Sequence, residues 1–180
     1  MAHSNMLKPE IIDLPSYVDD RGVFTPVWNS IIVPGTGQMV KLISGCAGAE
    51  LPDVKRVYFI NNSQKGVVRG FHYHLQETKY FIILRGMAKF VTSGPHGVQA
   101  ITDFQNYRET KDLLDRCQEF VLSEKKPQLL VIPPRYANGW ASLTDDCLLL
   151  SLSSSTFNES KNDDLRINPT LYPHWGVKAR

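Results

Sequence analysis

Short apolar stretches interrupted by turn residues dominate this sequence. They are rich in Val, Ile, Phe and Tyr, and Gly, Pro, Asn and Ser separate them at intervals typical of β-strands. The stretches are Gln38–Ser44, Val54–Ile60, Val67–His74, Lys79–Leu84, Met87–Thr92, Phe120–Leu122, Gln128–Ile132 and Cys147–Leu152. Because they do not alternate with helical patterns, they predict an all-β sandwich or barrel.

Helical character is confined to two short segments, Tyr107–Cys117 and the polar Asn158–Arg166. The chain has 180 residues, without an internal repeat or a linker-like change in composition. We therefore predict one domain over residues 1–180, with an N-terminal arm (1–30) and a C-terminal tail (158–180). Within the arm, Asp19–Phe24 is predicted to be a hairpin turn that leads into a strand.

Composition limits the classes of partner. The formal net charge of +2 is too small to make nucleic acid or an anionic membrane the expected partner. No apolar run approaches the roughly 20 residues needed to span a bilayer, and the N-terminus does not resemble a signal peptide. The three cysteines have no metal-ligand spacing and indicate reduced thiols. We expect a cytoplasmic protein.

The most informative segment contains two histidines two residues apart. His72 and His74 lie in the predicted strand Val67–His74, where side chains at i and i+2 point to the same face. Arg69 precedes them on the same strand, and Lys79 begins the next one. Two histidines on one face with two cations nearby indicate a ligand-binding site rather than a pair of structural histidines.

The spacing around these histidines resembles the first motif of the cupin superfamily of jelly-roll β-barrels. The glycines and histidines of that motif are matched at Gly66, His72, His74 and Gly86. Lys79 stands where the motif has a glutamate. The second cupin motif is similar to residues 133–139, where Asn138 replaces a third histidine. The resemblance implies a single cupin barrel with a few short helices.

This comparison also bears on metal binding. A divalent metal site in this barrel would use three histidines and a carboxylate, of which the chain keeps two ligands. The ammonium of Lys79 repels a divalent ion and offers no lone pair. Glu77 is near in sequence, but alternation from His74 places it on the opposite face unless the strand has ended. We therefore predict no metal and no other cofactor.

Within the cupins, four segments are similar, in order, to the dTDP-4-dehydrorhamnose 3,5-epimerase family. They are Asp20–Phe24, Val68–Tyr73, Ile132–Trp140 and Leu165–Pro169 followed by Leu171 and Trp175. The middle of the chain also resembles the sugar 3,4-ketoisomerases. That similarity is carried by Lys55–Ile60, Lys65-Gly66, Arg69–His72 with His74, and Asp146–Ser154. Because ketoisomerases are usually shorter at the N-terminus, the length of this chain favours the epimerases.

The resemblance implies a nucleotide-diphospho-sugar substrate and a general base. His72, with an ordinary pKa of about 6.5, is expected to remove a proton next to the ketone, and Lys79 to stabilise the enolate oxygen. The residues expected to bind substrate are Arg21, Phe24, Asn61, Arg69, His74, Tyr136 and Asn138. Arg69 and Arg21 are expected to hold the diphosphate. The family implies a homodimer in which Arg21 and Phe24 reach into the neighbouring subunit.

Two further positions depart from the epimerase pattern. Ser151 stands where the 3,5-epimerases carry a tyrosine that returns the proton from the other face, and Asn168 where an aspartate partners the base. A serine hydroxyl has far too high a pKa to replace a tyrosine. A double epimerisation is therefore not expected unless Tyr58, Tyr80 or Tyr136 takes over the role.

Three functions remain open from the sequence. The first is a C3 epimerase of a nucleotide-linked 4-keto-6-deoxyhexose, with dTDP, CDP or GDP as carrier, in deoxysugar or surface-polysaccharide (O-antigen) synthesis. The second is a 3,4-ketoisomerase, which Tyr58 and the His-x-His pair favour. The third is a nucleotide-sugar-binding cupin without chemistry, which the replaced residues favour. Retention of Arg69, His72 and Lys79 favours catalysis, and we predict the epimerase.

Overall fold

Fourteen strands are the main secondary-structure elements of the described chain. A computed structural model describes residues 8–32, 39–43, 54–108 and 110–177. The strands are β1 (Glu10–Asp13), β2 (Tyr17–Asp19), β3 (Gly22–Phe24), β4 (Trp28–Ile32), β5 (Met39–Ile43), β6 (Arg56–Asn62), β7 (Val68–Tyr73), β8 (Lys79–Arg85), β9 (Met87–Ser93), β10 (Cys117–Ser123), β11 (Gln128–Ile132), β12 (Ala137–Ser142), β13 (Cys147–Ser153) and β14 (Leu165–Arg166). The helices are α1 (Val98–Gln105), α2 (Lys111–Asp115), α3 (Phe157–Asn162) and a 3₁₀ turn, Pro169–Leu171.

The strands form two five-stranded antiparallel sheets and two hairpins. The first sheet has the order β1-β11-β8-β13-β6, and the second has the order β10-β9-β12-β7-β14. The arm contributes the hairpin β2–β3, and β4 pairs with β5. The all-β prediction is confirmed.

The main core lies between the two sheets. Phe81 and Leu149 from the first sheet pack with Phe90 and Trp140 from the second, and the rings of Phe81 and Phe90 are stacked with centroids 5.3 Å apart. Side chains alternate along each strand, so the inward-facing positions of both sheets build this layer. Burying each large side chain there contributes about 1.5–3 kcal/mol.

Each sheet is also covered on its outer face. On the second sheet, α1, α2 and the C-terminal tail cover the outer face. On the first sheet, Ile12 of β1 and the following Leu14 pack in a cluster with Tyr80 and Leu129 of the neighbouring strands. This explains why β8 reads as an almost continuous apolar run, since five of its seven residues are buried. The space for a ligand is left between the sheets.

Several predicted boundaries differ from the structure. The predicted helix Tyr107–Cys117 shrinks to α2, and Asn158–Arg166 divides into α3 and the short strand β14. Two elements were not predicted from the sequence: α1, which follows a Gly-Pro turn, and β12, which begins in the segment that resembles the second cupin motif. β12 contains Asn-Gly and no β-branched residue, so its composition carries little strand signal.

A glycine pair determines which side chains of β7 face the ligand space. Arg69 and His72 are three residues apart and would fall on opposite faces of a regular strand. Gly70 has φ +135°, and a Cβ there would lie 2.5 Å from Cα of Gly139 on β12, opposite a register shift. The irregular strand brings both Arg69 and His72 to the same cavity.

No helix in the described part of the chain is long and apolar enough to cross a membrane.

Candidate active site

Two adjoining cavities open between the sheets. One has a volume of about 530 Å³ and the other of about 430 Å³, and they share Tyr58, His72, Lys79 and Arg166 as lining residues. This is a size typical of small-ligand sites. His72 projects from the second sheet, whereas Tyr58 and Lys79 project from the first sheet, so a ligand between them has different groups on its two faces.

The electrostatics of the cavities favour an anionic ligand. Five cationic side chains line them, and the lining residues include one carboxylate, that of Asp164. The cations are Arg56, Arg69, Lys79, Lys161 and Arg166. A cleft lined by one sign of charge raises the local concentration of the opposite sign.

His72 is paired with a carboxylate. Its Nδ1 lies 3.1 Å from Oδ1 of Asp164, which immediately precedes β14. Pairing of Arg166 on β14 with His72 on β7 holds Asp164 beside the ring, and Arg166 Nε donates to Asp164 Oδ2 at 2.6 Å. A carboxylate at Nδ1 fixes the proton there, which leaves the lone pair of Nε2 available as a base.

Asn168 stands where the family has the aspartate that partners the base, but the carboxylate of this site comes from another position. Asn168 begins the 3₁₀ turn, where its Oδ1 accepts hydrogen bonds from the backbone N–H of Thr170. Asp164 supplies the carboxylate partner of His72 instead. The structure therefore removes one of the observations that favoured a cupin without chemistry.

The pKa values of this pair agree with a base. Burial lowers the pKa of His72, while the hydrogen bond to Asp164 opposes the shift. Burial opposes ionisation of Asp164, but the hydrogen bonds from His72 and Arg166 bring its pKa to about 2. At neutral pH the pair is therefore a neutral imidazole beside a carboxylate, the state needed to accept a proton.

Lys79 lies across the cavity at the start of β8. Only 6% of the residue is exposed, and burial lowers the pKa of its ammonium group, an effect that the carboxylate of Glu77 opposes. Tyr58 projects into the same space from β6, where Val57 and Phe59 face outward. A cation and a phenol thus face the imidazole of His72.

His74 and Glu77 occupy other places than the sequence predicted. β7 ends at Tyr73, so strand alternation does not extend to Glu77, whose carboxylate turns inward to 3.3 Å from Nδ1 of His74. His74 is 3% exposed, with Nε2 at 3.7 Å from Asp164, and it is absent from the lining of both cavities. His74 is therefore placed behind His72 rather than against a ligand.

Of the other candidate binding residues, some line the second cavity and others do not. Arg69 lines the second cavity and donates from Nε to Asn62 at 2.7 Å. Asn138 lines it too, and its Nδ2 donates to the backbone carbonyl of His72 at 3.0 Å. Asn61 faces outward and bonds Asp146, because alternation along β6 points the neighbouring Asn62 inward.

Three further candidates lie away from the cavities. Tyr136 is buried in the core between the sheets and is not among the cavity-lining residues. Arg21 and Phe24 lie on the exposed hairpin β2–β3, where Arg21 pairs with Asp19 of the same hairpin. Within one chain these two residues do not reach the site.

Several residues of the site were not predicted from the sequence. The structure adds Arg56 and Phe157, with the Arg56 guanidinium 5.0 Å from the centroid of Tyr58 and 6.0 Å from that of Phe157. It also adds Lys161, Asp164 and Arg166. Alternation along β6 is a signal for Arg56, whereas nothing local to the segment 157–166 shows that it folds back against β7.

Among the residues that the structure describes, one group of potential metal ligands is present. Nitrogen and oxygen atoms of His72, His74 and Asp164 lie within 4.8 Å of one another. Asp164 already accepts a hydrogen bond from His72, and the positive charge of Lys79 acts on both imidazoles. That charge disfavours a divalent cation at the same place.

The metal-free site remains a prediction, and chelation tests it. We expect dialysis against a strong chelator to leave turnover unchanged, because the proposed base and cation are both side chains. Turnover is compared with that of undialysed protein, together with the metal content of each sample. A loss of turnover that a divalent metal restores would contradict this prediction.

Substitution of Asp164 tests the carboxylate–imidazole pair. In Asp164→Asn we expect turnover to fall about 10²-fold or more, because the amide no longer fixes the tautomer of His72. Asp164 raises the pKa of His72, so its removal lowers that pKa. Because the base works unprotonated, the acidic limb of the pH–rate profile is expected to move to lower pH. A limb that stays in place would show that His72 is not the titrating base.

Comparison with known proteins shows the family of this chain. The model of the family described as dTDP-4-dehydrorhamnose 3,5-epimerase matches residues 8–179. The chain belongs to this family. A curated relative, the spore coat polysaccharide biosynthesis protein SpsL of Bacillus subtilis (strain 168), is 25% identical over 124 residues, covering 67% of this chain and 74% of SpsL.

Solved structures show the same epimerase-family fold. QdtA, a sugar 3,4-ketoisomerase from Thermoanaerobacterium thermosaccharolyticum in complex with TDP, has a TM-score of 0.60 and 22% identity, and the match covers 91% of each chain. ChmJ, a 3'-monoepimerase from Streptomyces bikiniensis in complex with dTDP-quinovose, has a TM-score of 0.62 and 18% identity, covering 100% of this chain and 82% of ChmJ. The predicted cupin jelly roll is confirmed.

Proposed function

We propose that this protein inverts C3 of a nucleotide-linked 4-keto-6-deoxyhexose without a metal ion. The observation that carries the proposal is the His72–Asp164 pair at the cavity wall, with Lys79 and Tyr58 on the facing sheet. A proton next to a ketone is removed by a positioned base when positive charge stabilises the enolate oxygen. The site offers both groups on opposite sides of one space.

The proposed reaction is a proton removal followed by a proton return. Nε2 of His72 takes the C3 proton, and the electron pair of that bond moves to form the enolate at C4, whose oxygen faces the Lys79 ammonium. Tyr58 then donates its phenolic proton to C3 from the opposite face, which inverts the centre. The imidazolium loses its proton to solvent and the phenolate regains one, so the enzyme returns to its starting state.

We propose Tyr58 as the donor that returns the proton to C3. Ser151 is fully buried, pairs with Tyr58 across β13 and β6, and its hydroxyl has a reference acidity far below that of a phenol. Tyr80 lies in the outer core and Tyr136 in the inner one, which leaves Tyr58 as the tyrosine among the described cavity-lining residues. The fold shared with the 3'-monoepimerase ChmJ supports the choice of C3.

The nucleotide is proposed to lie along the cationic part of the cavities. Arg56, Arg69 and Arg166 offer forked donors for a diphosphate, and the exposed ring of Phe157 offers a stacking surface for a base. We propose dTDP as the carrier, since QdtA and ChmJ were both solved with TDP-type ligands. Similarity to SpsL supports a place in polysaccharide biosynthesis.

Dimerisation would complete this site. Arg21 and Phe24 are exposed on a hairpin that projects from its own chain, and β6 is an edge strand whose outer face exposes Val57 and Phe59. We propose that the hairpin of a second copy brings Arg21 and Phe24 to the nucleotide end of the cavity. Exposed apolar residues of this kind are typical of interaction surfaces.

A 3,4-ketoisomerase is the second candidate. The same imidazole could carry the C3 proton to C4 along one face, and QdtA shares the fold. Placement of Tyr58 opposite His72 favours the epimerase, because a phenol on the other face is needed only when the centre is inverted. A binding protein without chemistry has no use for the Asp164 carboxylate that fixes His72.

The identity of the product separates these candidates. Proton NMR of dTDP-4-keto-6-deoxyglucose with the protein is expected to show the large H2–H3 coupling replaced by a small one. Inversion at C3 turns the diaxial H2–H3 pair into an axial–equatorial pair, which has a smaller coupling. A new H4 signal coupled to H5 would identify the ketoisomerase. An unchanged spectrum together with measurable binding of dTDP would show that the protein binds the nucleotide without catalysing a reaction. Parallel samples with CDP- and GDP-linked sugars test the choice of carrier.

A further inference from the structure

A fully buried carboxylate lies directly behind the cavity wall. The Glu77 side chain is 0% exposed, and Glu77 lines neither cavity. Its Oε1 accepts hydrogen bonds from Arg56 Nη2 at 3.1 Å and from the Ser153 hydroxyl at 2.7 Å. The same oxygen lies 3.9 Å from Nζ of Lys79. Three elements of the fold, β6, β8 and β13, therefore direct polar groups at this one carboxylate.

The two cations that meet Glu77 are both exposed to the ligand space. Arg56 and Lys79 line the larger cavity, with Arg56 also held by a hydrogen bond to Ser160 Oγ at 3.0 Å. An isolated buried charge is strongly disfavoured, whereas a charge paired with hydrogen-bonded partners is tolerated. Glu77 thus balances the charges that the cavity presents to a ligand without touching the ligand.

We propose that Glu77 is a positioning residue that keeps Lys79 charged and Arg56 in place at the cavity wall. This inference rests on the proposed function for the task given to Lys79. It assigns a role to a carboxylate that the reaction itself does not use.

The surroundings of Lys79 show why Glu77 is needed. The charged and titratable groups around this lysine are Arg56, His72, His74, Glu77, Asp164 and Arg166. Burial lowers the pKa of Lys79; Glu77 opposes this shift most, followed by Asp164, while Arg56 and Arg166 add to it. Burial also lowers the pKa of His74, so that ring is neutral and does not take up the charge of Glu77.

The sign of the effect follows from these contacts. Burial opposes ionisation of Glu77, but the charge of Lys79 and the hydrogen bond from the Ser153 hydroxyl hold the pKa of its carboxyl below the usual value. Removal of the Glu77 charge lowers the pKa of Lys79 further. The ammonium group then loses its proton at a lower pH, and the cavity loses the charge that faces the enolate oxygen.

Titration of Lys79 by NMR tests the inference directly. Its side-chain signal, assigned by its loss in Lys79→Gln, is followed against pH in the whole protein. We expect the pKa of Lys79 to fall by about one unit or more in Glu77→Gln, which keeps the shape and removes the charge. It is expected to stay near the wild-type value in Glu77→Asp, which keeps the charge, and in Glu124→Gln, a control on the exposed β10–β11 turn.

The pH dependence of turnover in Glu77→Gln is a second test of the inference. In Glu77→Gln the alkaline limb of the kcat profile is expected to move to lower pH with the Lys79 titration, while KM for the sugar nucleotide stays within about twofold of wild type. An unchanged Lys79 titration in Glu77→Gln, or an equal shift in Glu77→Asp, would overturn the inference. A shifted titration in a protein that converts no 4-keto sugar would support the pairing and contradict the proposed function.

A reciprocal measurement covers the case in which Glu77→Gln does not fold. In Lys79→Gln the carboxyl pKa of Glu77 is expected to rise, because the largest favourable charge beside it is gone. A carboxyl pKa that does not move would overturn the inference as well.

Discussion

Replacement of His72 by asparagine is expected to lower turnover of the 4-keto sugar about 10⁴-fold, at the upper end of what a general base contributes. Asparagine has about the size of the imidazole and carries no group that accepts a proton at neutral pH. Because Lys79 and Arg69 stay in place, binding of dTDP is expected to change little. Steady-state kinetics and calorimetric binding of dTDP measure the two effects separately.

A matched control for this substitution is His174→Asn. His174 is exposed in the C-terminal tail, where its ring contacts Tyr172, and it lies outside both cavities. We expect wild-type turnover from this variant. If His72→Asn retained more than about one tenth of wild-type turnover, the base would have to be another residue.

The second large effect is expected from Tyr58→Phe. Loss of the phenolic proton is expected to lower inversion at C3 about 10²–10³-fold, while His72 still removes the C3 proton. In deuterated water the variant is expected to incorporate deuterium at C3 with the original configuration retained, since the imidazolium returns the label to the same face. Inversion is measured in ordinary water from the H2–H3 coupling, and exchange is measured in deuterated water from the deuterium content at C3.

Tyr107→Phe serves as the control for Tyr58→Phe. Tyr107 is 57% exposed after α1 and is not among the cavity-lining residues. Equal losses of exchange and inversion in Tyr58→Phe would show that the phenol acts in proton removal, for example by binding the ketone. Unchanged inversion would show that another donor, such as water, returns the proton.

The sequence predicted the fold well where composition and alternation agree. β7, β8, β9, β11 and β13 appear within two residues of their predicted bounds. The first four combine β-branched or aromatic residues with turn residues at their ends, whereas β13 is a leucine-rich run. β12 was missed because its stability comes from pairing with both β7 and β9 rather than from its own residues. Tertiary pairing of this kind leaves no local signal.

The centre of the candidate site was visible in the sequence for a simple reason. His72, Lys79 and Arg69 belong to two consecutive strands, so local spacing places them near one another. Their partners come from distant segments: Asp164 lies 92 residues after His72 and contacts it through β14. Only the folded chain shows which acidic residue of the tail meets the imidazole.

The direction of the Glu77 side chain depends on where strand β7 ends. Alternation continued past His74 would place the carboxylate on the far side of the sheet, whereas β7 stops at Tyr73 and the loop turns Glu77 inward. Element ends are the least certain part of any sequence-based prediction. The sequence left open whether the strand ends before Glu77, and the folded chain shows that its carboxylate pairs with Lys79 and Arg56.

Hydrogen exchange at C3 of dTDP-4-keto-6-deoxyglucose in deuterated water tests the central claim most directly. We expect the wild-type protein to remove the C3 proton signal and to leave the C5 signal, and His72→Asn to remove neither. Exchange at C3 that persists undiminished in His72→Asn, or exchange confined to C5, would contradict the assignment of His72 as the base at C3.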